Sequence, residues 1–274
     1  MPALQGSDSP ISGNSSTPEP HSAARGACSL RPDTDRAGAR LLVRWVPIAL
    51  LALAAAALAI DCPLAQWFPH RHYPRLLGQL IELSEVFGHG IGVVVLAIVI
   101  HQLDLVRRWA VPRVLLCSLG AGMTVNVVKM FVARTRPRCF DFEGDAIATF
   151  TGWLPLGRGG TALQSFPSAH MATAVGFAVA LAWLYPRGRW IFYSLAVLVG
   201  CQRMQSGSHY LSDVLIGAAI GILVARACIG PSRIAAQLAR LETRWRQPAP
   251  PACSESLPFQ QDHADREPVC SRAA

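Results

Sequence analysis

Along the chain, apolar residues gather into six blocks separated by short polar stretches: Leu41–Ile60, Val86–Ile100, Val114–Val132, Met171–Tyr185, Trp190–Met204 and Tyr210–Ile229. A helix needs about 20 residues to cross the hydrocarbon of a bilayer, and about 17 at the least. The first, third and sixth blocks meet that length. The other three must borrow flanking residues or be shielded by their neighbours. The pattern predicts an all-α fold, an integral membrane bundle of six transmembrane helices over residues 41–229.

Polar segments flank this domain. Residues 1–40 are rich in Ser, Pro, Gly and Thr and lack hydrophobic periodicity. They are expected to be a disordered tail, because too little apolar surface is available to offset chain entropy. The first apolar run starts too late for a cleavable signal peptide, so none is expected. The second tail, 230–274, is Pro-rich beyond Arg246. A short amphipathic helix is expected around Ile234–Trp245, with arginines able to rest on anionic headgroups. No internal repeat is evident.

Composition sharpens this picture. Of the 274 residues, 51% are hydrophobic and only 15% charged, against roughly a quarter charged in soluble domains. The formal net charge of +8 permits nucleic-acid binding in principle, but no basic stripe on a soluble scaffold accompanies it. Most arginines instead lie beside apolar blocks, where membrane topology accounts for them. No nucleic-acid partner is expected. The eight cysteines, Cys28, Cys62, Cys117, Cys139, Cys201, Cys228, Cys253 and Cys270, show no CxxC and no metal-ligand spacing. Cys62 and Cys139 fall on one expected side and are candidates for a disulfide.

The arginines also orient the bundle. Arg25, Arg31, Arg36 and Arg40 precede the first block; Arg107, Arg108 and Arg113 separate the second from the third. Arg187 and Arg189 lie between the fourth and fifth, and Arg233, Arg240, Arg244 and Arg246 follow the sixth. With six spans all four regions share a side, which is therefore expected to be cytoplasmic, with both termini. Arg134, Arg136, Arg138, Arg158 and Arg203 fall on the opposite side. Positive charge there needs another cause, and a phosphate site would supply one.

Three local patterns lie on that opposite side. Lys129 and Arg136 are seven residues apart, nearly two helical turns, and would share a face if the third helix continued to Pro137. A lysine within an apolar span either snorkels to the interface or faces a polar cavity. Pro167 and Ser168 open the fourth block as helix-start residues. The free N–H groups of such a start favour an anion, and His170 is a proton donor placed beside them. His209 and Asp213 are four apart, neighbours on a helix surface. A carboxylate there is either a cap or the group that orients an imidazole base or nucleophile.

Lys129 to Pro137, Pro167 to His170 and Arg203 to Asp213 resemble the three signature motifs of the type-2 phosphatidic acid phosphatase family, whose superfamily includes soluble vanadium haloperoxidases. The resemblance covers residues 129–213 by motif and about 41–229 by helix pattern. It implies a membrane phosphatase in which His209 attacks phosphorus, Asp213 orients it and His170 protonates the leaving oxygen. Lys129, Arg136, Ser168, Ala169 and Arg203 would bind the phosphate, with no metal and no cofactor. Two positions depart from the pattern: Ala169 stands where Gly is usual, and Gln202 where Ser is common.

The expected substrate is a phospholipid, a polyprenyl diphosphate or a phosphorylated glycolipid. The expected setting is a bacterial inner membrane with the site facing the periplasm. A vanadate-dependent haloperoxidase is disfavoured by the six apolar blocks. A binding or transport protein for anionic lipids would need the basic pocket, but not His170, His209 and Asp213 together.

Overall fold

A computed structural model describes residues 33–70, 73–156 and 160–243 of the protein, with backbone alone for 33–44 and 70. Most of both tails lies outside this range, as do Arg25, Arg31, Arg158, Arg244, Arg246, Cys28, Cys253 and Cys270. The chain divides into two compact units, Met1–Trp45 and Val46–Ala274. In the first, the described residues form the start of a helix. All packing discussed below lies within the second.

The described chain is mostly helical. Helices α1 (Asp33–Ala57) and α2 (Asp61–Trp67) are followed by α3 (Arg75–Gly88), α4 (Gly90–Leu103) and α5 (Val111–Lys129). After a long loop come α6 (Ala169–Leu184), α7 (Arg189–Gln205), α8 (Leu211–Ile229) and α9 (Arg233–Glu242). Among the described residues, three stretches are long and apolar enough to cross a bilayer alone: Trp45–Trp67, Arg108–Lys129 and Leu211–Ile229. The α3–α4 pair also qualifies if taken as one span, but it bends by 77°. α6 is apolar and shorter. The protein is thus a multi-pass helical membrane protein.

α6 shows how a short apolar helix is accommodated. It packs against α5, α7 and α8, and residues on every side of it are buried, among them Ala172, Ala174, Phe177, Ala178 and Leu181. Such a helix meets protein rather than lipid along most of its length. Small residues permit the close approach, as is general where helices pack in membranes. At Gly217 of α8, an added Cβ would lie 2.5 Å from the Ser168 carbonyl oxygen at the start of α6. Only glycine allows the two helix starts to come so near.

Three differences from the sequence expectations bear on the site. The block Val86–Ile100 is not one helix. His89 is extended (φ −93°, ψ 134°) between Gly88 and Gly90, and its ring accepts from the Ile91 N–H at 3.3 Å, capping α4. The flanking glycines lower the cost of leaving the helix there. The third helix does not continue to Pro137. It ends at Lys129, and the chain turns into β1 (Val132–Arg134), paired antiparallel with β2 (Phe150–Trp153). Lys129 and Arg136 therefore do not share a helix face. The small hairpin also departs from a purely α fold.

Candidate active site

The site is assembled where the ends of α5, α6, α7 and α8 meet the loop between α5 and α6. His209 precedes α8 and is 3% exposed. Its Nδ1 lies 2.6 Å from the Ser165 carbonyl oxygen, and Asp213 Oδ2 is 3.8 Å away, beyond hydrogen-bond reach. Nδ1–H therefore donates to a carbonyl, leaving Nε2 with its lone pair free. Burial holds the His209 pKa below its ordinary value against the opposing pull of Asp213, so the ring is neutral at neutral pH.

Ser165 lies between Asp213 and His209 and contacts both. Asp213 Oδ2 accepts from the Ser165 hydroxyl at 2.6 Å and from the Tyr210 N–H at 3.0 Å, while Oδ1 meets Arg134 at 2.6 Å. Ser165 thus joins the carboxylate through its hydroxyl and the imidazole through its carbonyl. The bond to Tyr210 also caps α8. Of the two sequence readings of Asp213, the cap is present, while the carboxylate does not bond the imidazole directly.

Arg134 is fully buried and was legible in sequence only as a charge on the unexpected side. The structure places it in an ion-pair network with Asp213 and Asp61, the latter at 2.8 Å, rather than among the solvent-facing cations. Its remaining N–H groups reach Thr149 at 2.9 Å and Ser212 at 2.8 Å. The guanidinium lies over the rings of Tyr210 and Phe150, at 4.1 and 4.5 Å. Asp61 also accepts from the Ser212 N–H at 3.1 Å and from the Ser212 hydroxyl. Positive charge at position 134 thus balances internal carboxylates, a correction to a phosphate-site origin for it.

The other cations are differently placed. Lys129, the last residue of α5, donates to the Gln164 carbonyl at 3.0 Å. Arg136 anchors its backbone N–H on Ala162 at 2.9 Å, while its buried Nε has no hydrogen-bond partner. Burial, with Arg138 and Arg203 nearby, pushes the Arg136 pKa down, the signature of a cation crowded by like charge. Arg203, near the end of α7, pairs with Glu85 at 2.5 Å. His170, in the first turn of α6, lies within electrostatic range of Arg203, His209, His89 and Lys129.

The backbone ties the three sequence patterns together. Ser168 N-caps α6, accepting from the Met171 N–H at 3.4 Å, and its own N–H donates to the Asp213 carbonyl at 3.1 Å. Pro167 stands before the cap rather than inside the first turn. Ala169 is the first residue of the helix and has no left-handed backbone, so a Cβ fits where Gly is usual. Gly207, with φ +60°, lets its carbonyl accept from the Arg138 N–H at 3.0 Å; a Cβ there would approach Arg138 Cβ to 3.2 Å.

Sequence reasoning missed Asp61, Glu85 and Ser165. Asp61 and Glu85 carried one signal, an ionisable residue within or beside an apolar block. Ser165 carried none. Cys62 and Cys139 are both free thiols, not a disulfide. Among the described residues no group of three His, Cys, Asp or Glu side chains is arranged to hold a metal ion.

Fold and site together define a multi-pass helical membrane protein with a buried imidazole beside a cluster of basic side chains. A sequence profile described as the PAP2 superfamily matches residues 111–231. The matched stretch contains all three sequence patterns, so the chain is similar to that superfamily where the candidate site lies.

Three relatives are lipid A 1-phosphatases. That of Rhizobium johnstonii is 37% identical over 102 residues, spanning 37% of this chain and 39% of its own length. That of Rhizobium etli is 28% identical over 198 residues, 65% of this chain and 81% of the relative. The Porphyromonas gingivalis protein is 44% identical over 69 residues, 24% of this chain and 16% of its own. Among solved structures, Aquifex aeolicus LpxE superimposes with a TM-score of 0.47 at 22% identity, covering 61% of this chain and 93% of that one. A Bacillus subtilis transmembrane PAP2-type phosphatidylglycerolphosphate phosphatase gives 0.47 at 19% identity, covering 73% and 97%.

Proposed function

We propose that the protein is a lipid phosphate phosphatase that works through a phosphohistidine on His209, and that its substrate is a glycolipid carrying a glycosyl phosphate, of the lipid A 1-phosphate type. The observation that carries the mechanism is the 2.6 Å bond from His209 Nδ1 to the Ser165 carbonyl. It leaves Nε2 as a fixed, neutral nucleophile beside Lys129, Arg136 and Arg203. The substrate reading rests on the three lipid A 1-phosphatase relatives.

Phosphoryl transfer asks a protein mainly for positioning and charge stabilisation. The three cations bind the non-bridging oxygens, with Ser168 and the N–H groups of the first turn of α6, which have no carbonyl four residues back. Nε2 attacks phosphorus as the bond to the lipid oxygen breaks, and His170 gives its proton to that oxygen. The lipid alcohol leaves and the phosphoryl group stays on Nε2. Water then attacks phosphorus, His170 takes a proton from it, and inorganic phosphate departs as His209 is restored. Asp213, through Ser165, is a positioning residue in this scheme. A single side chain acting as acid and then base is ordinary for histidine.

We place the chain in a bacterial inner membrane as six spans, with α3–α4 counted as one bent span, α6 shielded by its neighbours and α7 carrying Trp190, Ile191 and Val197 on an exposed face. The site then faces the periplasm and both termini the cytoplasm. Topology reporters at the two ends check the last point.

The test is phosphate release by the purified full chain in detergent, with EDTA present, from lipid A, phosphatidylglycerol phosphate, polyprenyl diphosphate and phosphatidic acid. Lipid A is expected to give the highest kcat/KM. His209→Ala is expected to lose at least about 10³-fold in kcat, the scale of nucleophile removal in other hydrolases. Label from a ³²P-substrate should be trapped on the wild type in an acid-labile form. Activity that survives His209→Ala would sink the mechanism; a clear preference for another lipid would sink the substrate assignment alone.

A further inference from the structure

Glu85 belongs to none of the three sequence patterns, yet its carboxylate sits on Arg203, one of the cations of the phosphate site proposed above. Oε1 lies 2.5 Å from Arg203 and 4.0 Å from His170 Nε2, and Oε2 accepts from the Gln202 carboxamide at 3.1 Å. Gln202 in turn accepts from Arg203 Nε. The residue at 202, where the family more often has Ser, thus clamps carboxylate and guanidinium together. The Arg203 side chain is 9% exposed and that of Glu85 40%. Arg203 is the fixed partner, and Glu85 is the one free to leave.

The surroundings place this pair where lipid arrives. Glu85 lines an open groove of about 540 Å³ between α3 and α4, with Glu82, His89, Val86, Ile91 and Val95. Val86, Ile91 and Val95 are all exposed, as suits contact with lipid. Any anionic headgroup seeking Arg203 must take it from Glu85. Asp213, by contrast, is committed to Arg134.

We propose that Glu85 is a specificity-determining residue, a displaceable carboxylate on Arg203 that admits phosphate monoesters and rejects the phosphodiesters of the surrounding bilayer. The inference rests on the phosphate-site reading above. A monoester carries about −1.5 to −2 charges near pH 7, and a diester carries a single negative charge. The monoester gains from Lys129, Arg136 and Arg203 together and outcompetes one carboxylate. A diester brings Arg203 no more charge than Glu85 does. It must also give up translational freedom that the tethered Glu85 has already lost. A membrane enzyme meets diester headgroups at very high local concentration, so this competition decides what fills the site.

The test measures binding of inorganic phosphate to the full chain in detergent by calorimetry, with and without phosphatidylglycerol in the micelles. Wild type, Glu85→Gln, Glu85→Asp and Gln202→Ala are compared. Glu85→Gln is expected to bind phosphate about tenfold more tightly, the scale of one charge-assisted hydrogen bond, and to become sensitive to phosphatidylglycerol. Glu85→Asp should stay close to wild type. Gln202→Ala, which loosens Glu85 without removing charge, should move in the same direction by less, and it carries the test if Glu85→Gln does not fold. Unchanged or weaker phosphate binding in Glu85→Gln or Gln202→Ala would overturn the proposal and leave Glu85 a support for Arg203. Phosphate that fails to bind any form would overturn the phosphate-site reading and this inference with it.

Discussion

Ser165 accepts from His209 with its carbonyl and donates to Asp213 with its hydroxyl, so one small residue links carboxylate and imidazole. The consequence is a pH dependence with a definite sign. A nucleophilic imidazole works in its neutral form, and burial lowers the His209 pKa, so the neutral form persists as pH falls past the ordinary histidine value of about 6.5. The acid limb of kcat/KM, after allowance for the substrate's own second ionisation near about 6, is expected below that value. A limb at or above it would mean that another group attacks phosphorus, or that the ring is solvated. The motif residues were legible one by one, because Lys, Arg and His are costly beside an apolar block and so stand out. Ser165 was not, since a serine in a loop carries no such cost.

At the scale of elements, the site depends on how closely two helix starts approach. Ser168 at the start of α6 donates its N–H to the Asp213 carbonyl in the first turn of α8 at 3.1 Å. Gly217, one turn further along α8, leaves room for this contact. Gly217→Ala would place a methyl group 2.5 Å from the Ser168 carbonyl oxygen, and the backbone would have to shift. A loss of about 1–3 kcal/mol is expected, as for other overpacked interiors, together with a fall in kcat as Ser168 and Asp213 separate. Unfolding in detergent and a turnover assay read the two effects; an unchanged kcat would uncouple helix spacing from the chemistry. The cap at Ser168 was legible from Pro-Ser-Ala-His, because capping is decided within a single turn. The hairpin of β1 and β2 was not. Its pairing joins Val132–Arg134 to Phe150–Trp153 across an intervening loop, and strand propensity weighs little in so short a segment.

Over the whole molecule, the network of Asp61, Arg134 and Asp213 ties the first spanning stretch to the site loop and to α8. These three side chains are fully buried. Removing the cation leaves two carboxylates without their common partner, and breaking a buried ion pair typically costs about 3–5 kcal/mol. Arg134→Met, which keeps most of the volume, is therefore expected to destabilise by that order and to lower the unfolding midpoint in detergent. His209→Ala, which leaves the network intact, serves as the comparison. A change within about 0.5 kcal/mol, the range of ordinary surface substitutions, would show that the network adds nothing to stability.

Hydropathy and residue type are properties of the chain alone, and they set the solvent it needs and the charged groups that need partners. Apolar blocks of spanning length demand a bilayer, and charges beside them demand partners or ligands. Six blocks mark where the helices α1 and α4 to α8 lie, because hydropathy is a property of the segment and needs no tertiary contact. Which charges pair with which depends on how the helices and the loop pack. Arg134 and Arg136 are two residues apart and equally basic, yet one is neutralised by Asp61 and Asp213 and the other has a buried Nε without a partner. The tertiary structure also bent the second block at His89 and brought Glu85 onto Arg203 across 118 positions of sequence. Hydrogen bonds form only at contact distance and Coulomb energy varies inversely with separation, so both are set by distances that the order of residues along the chain does not contain.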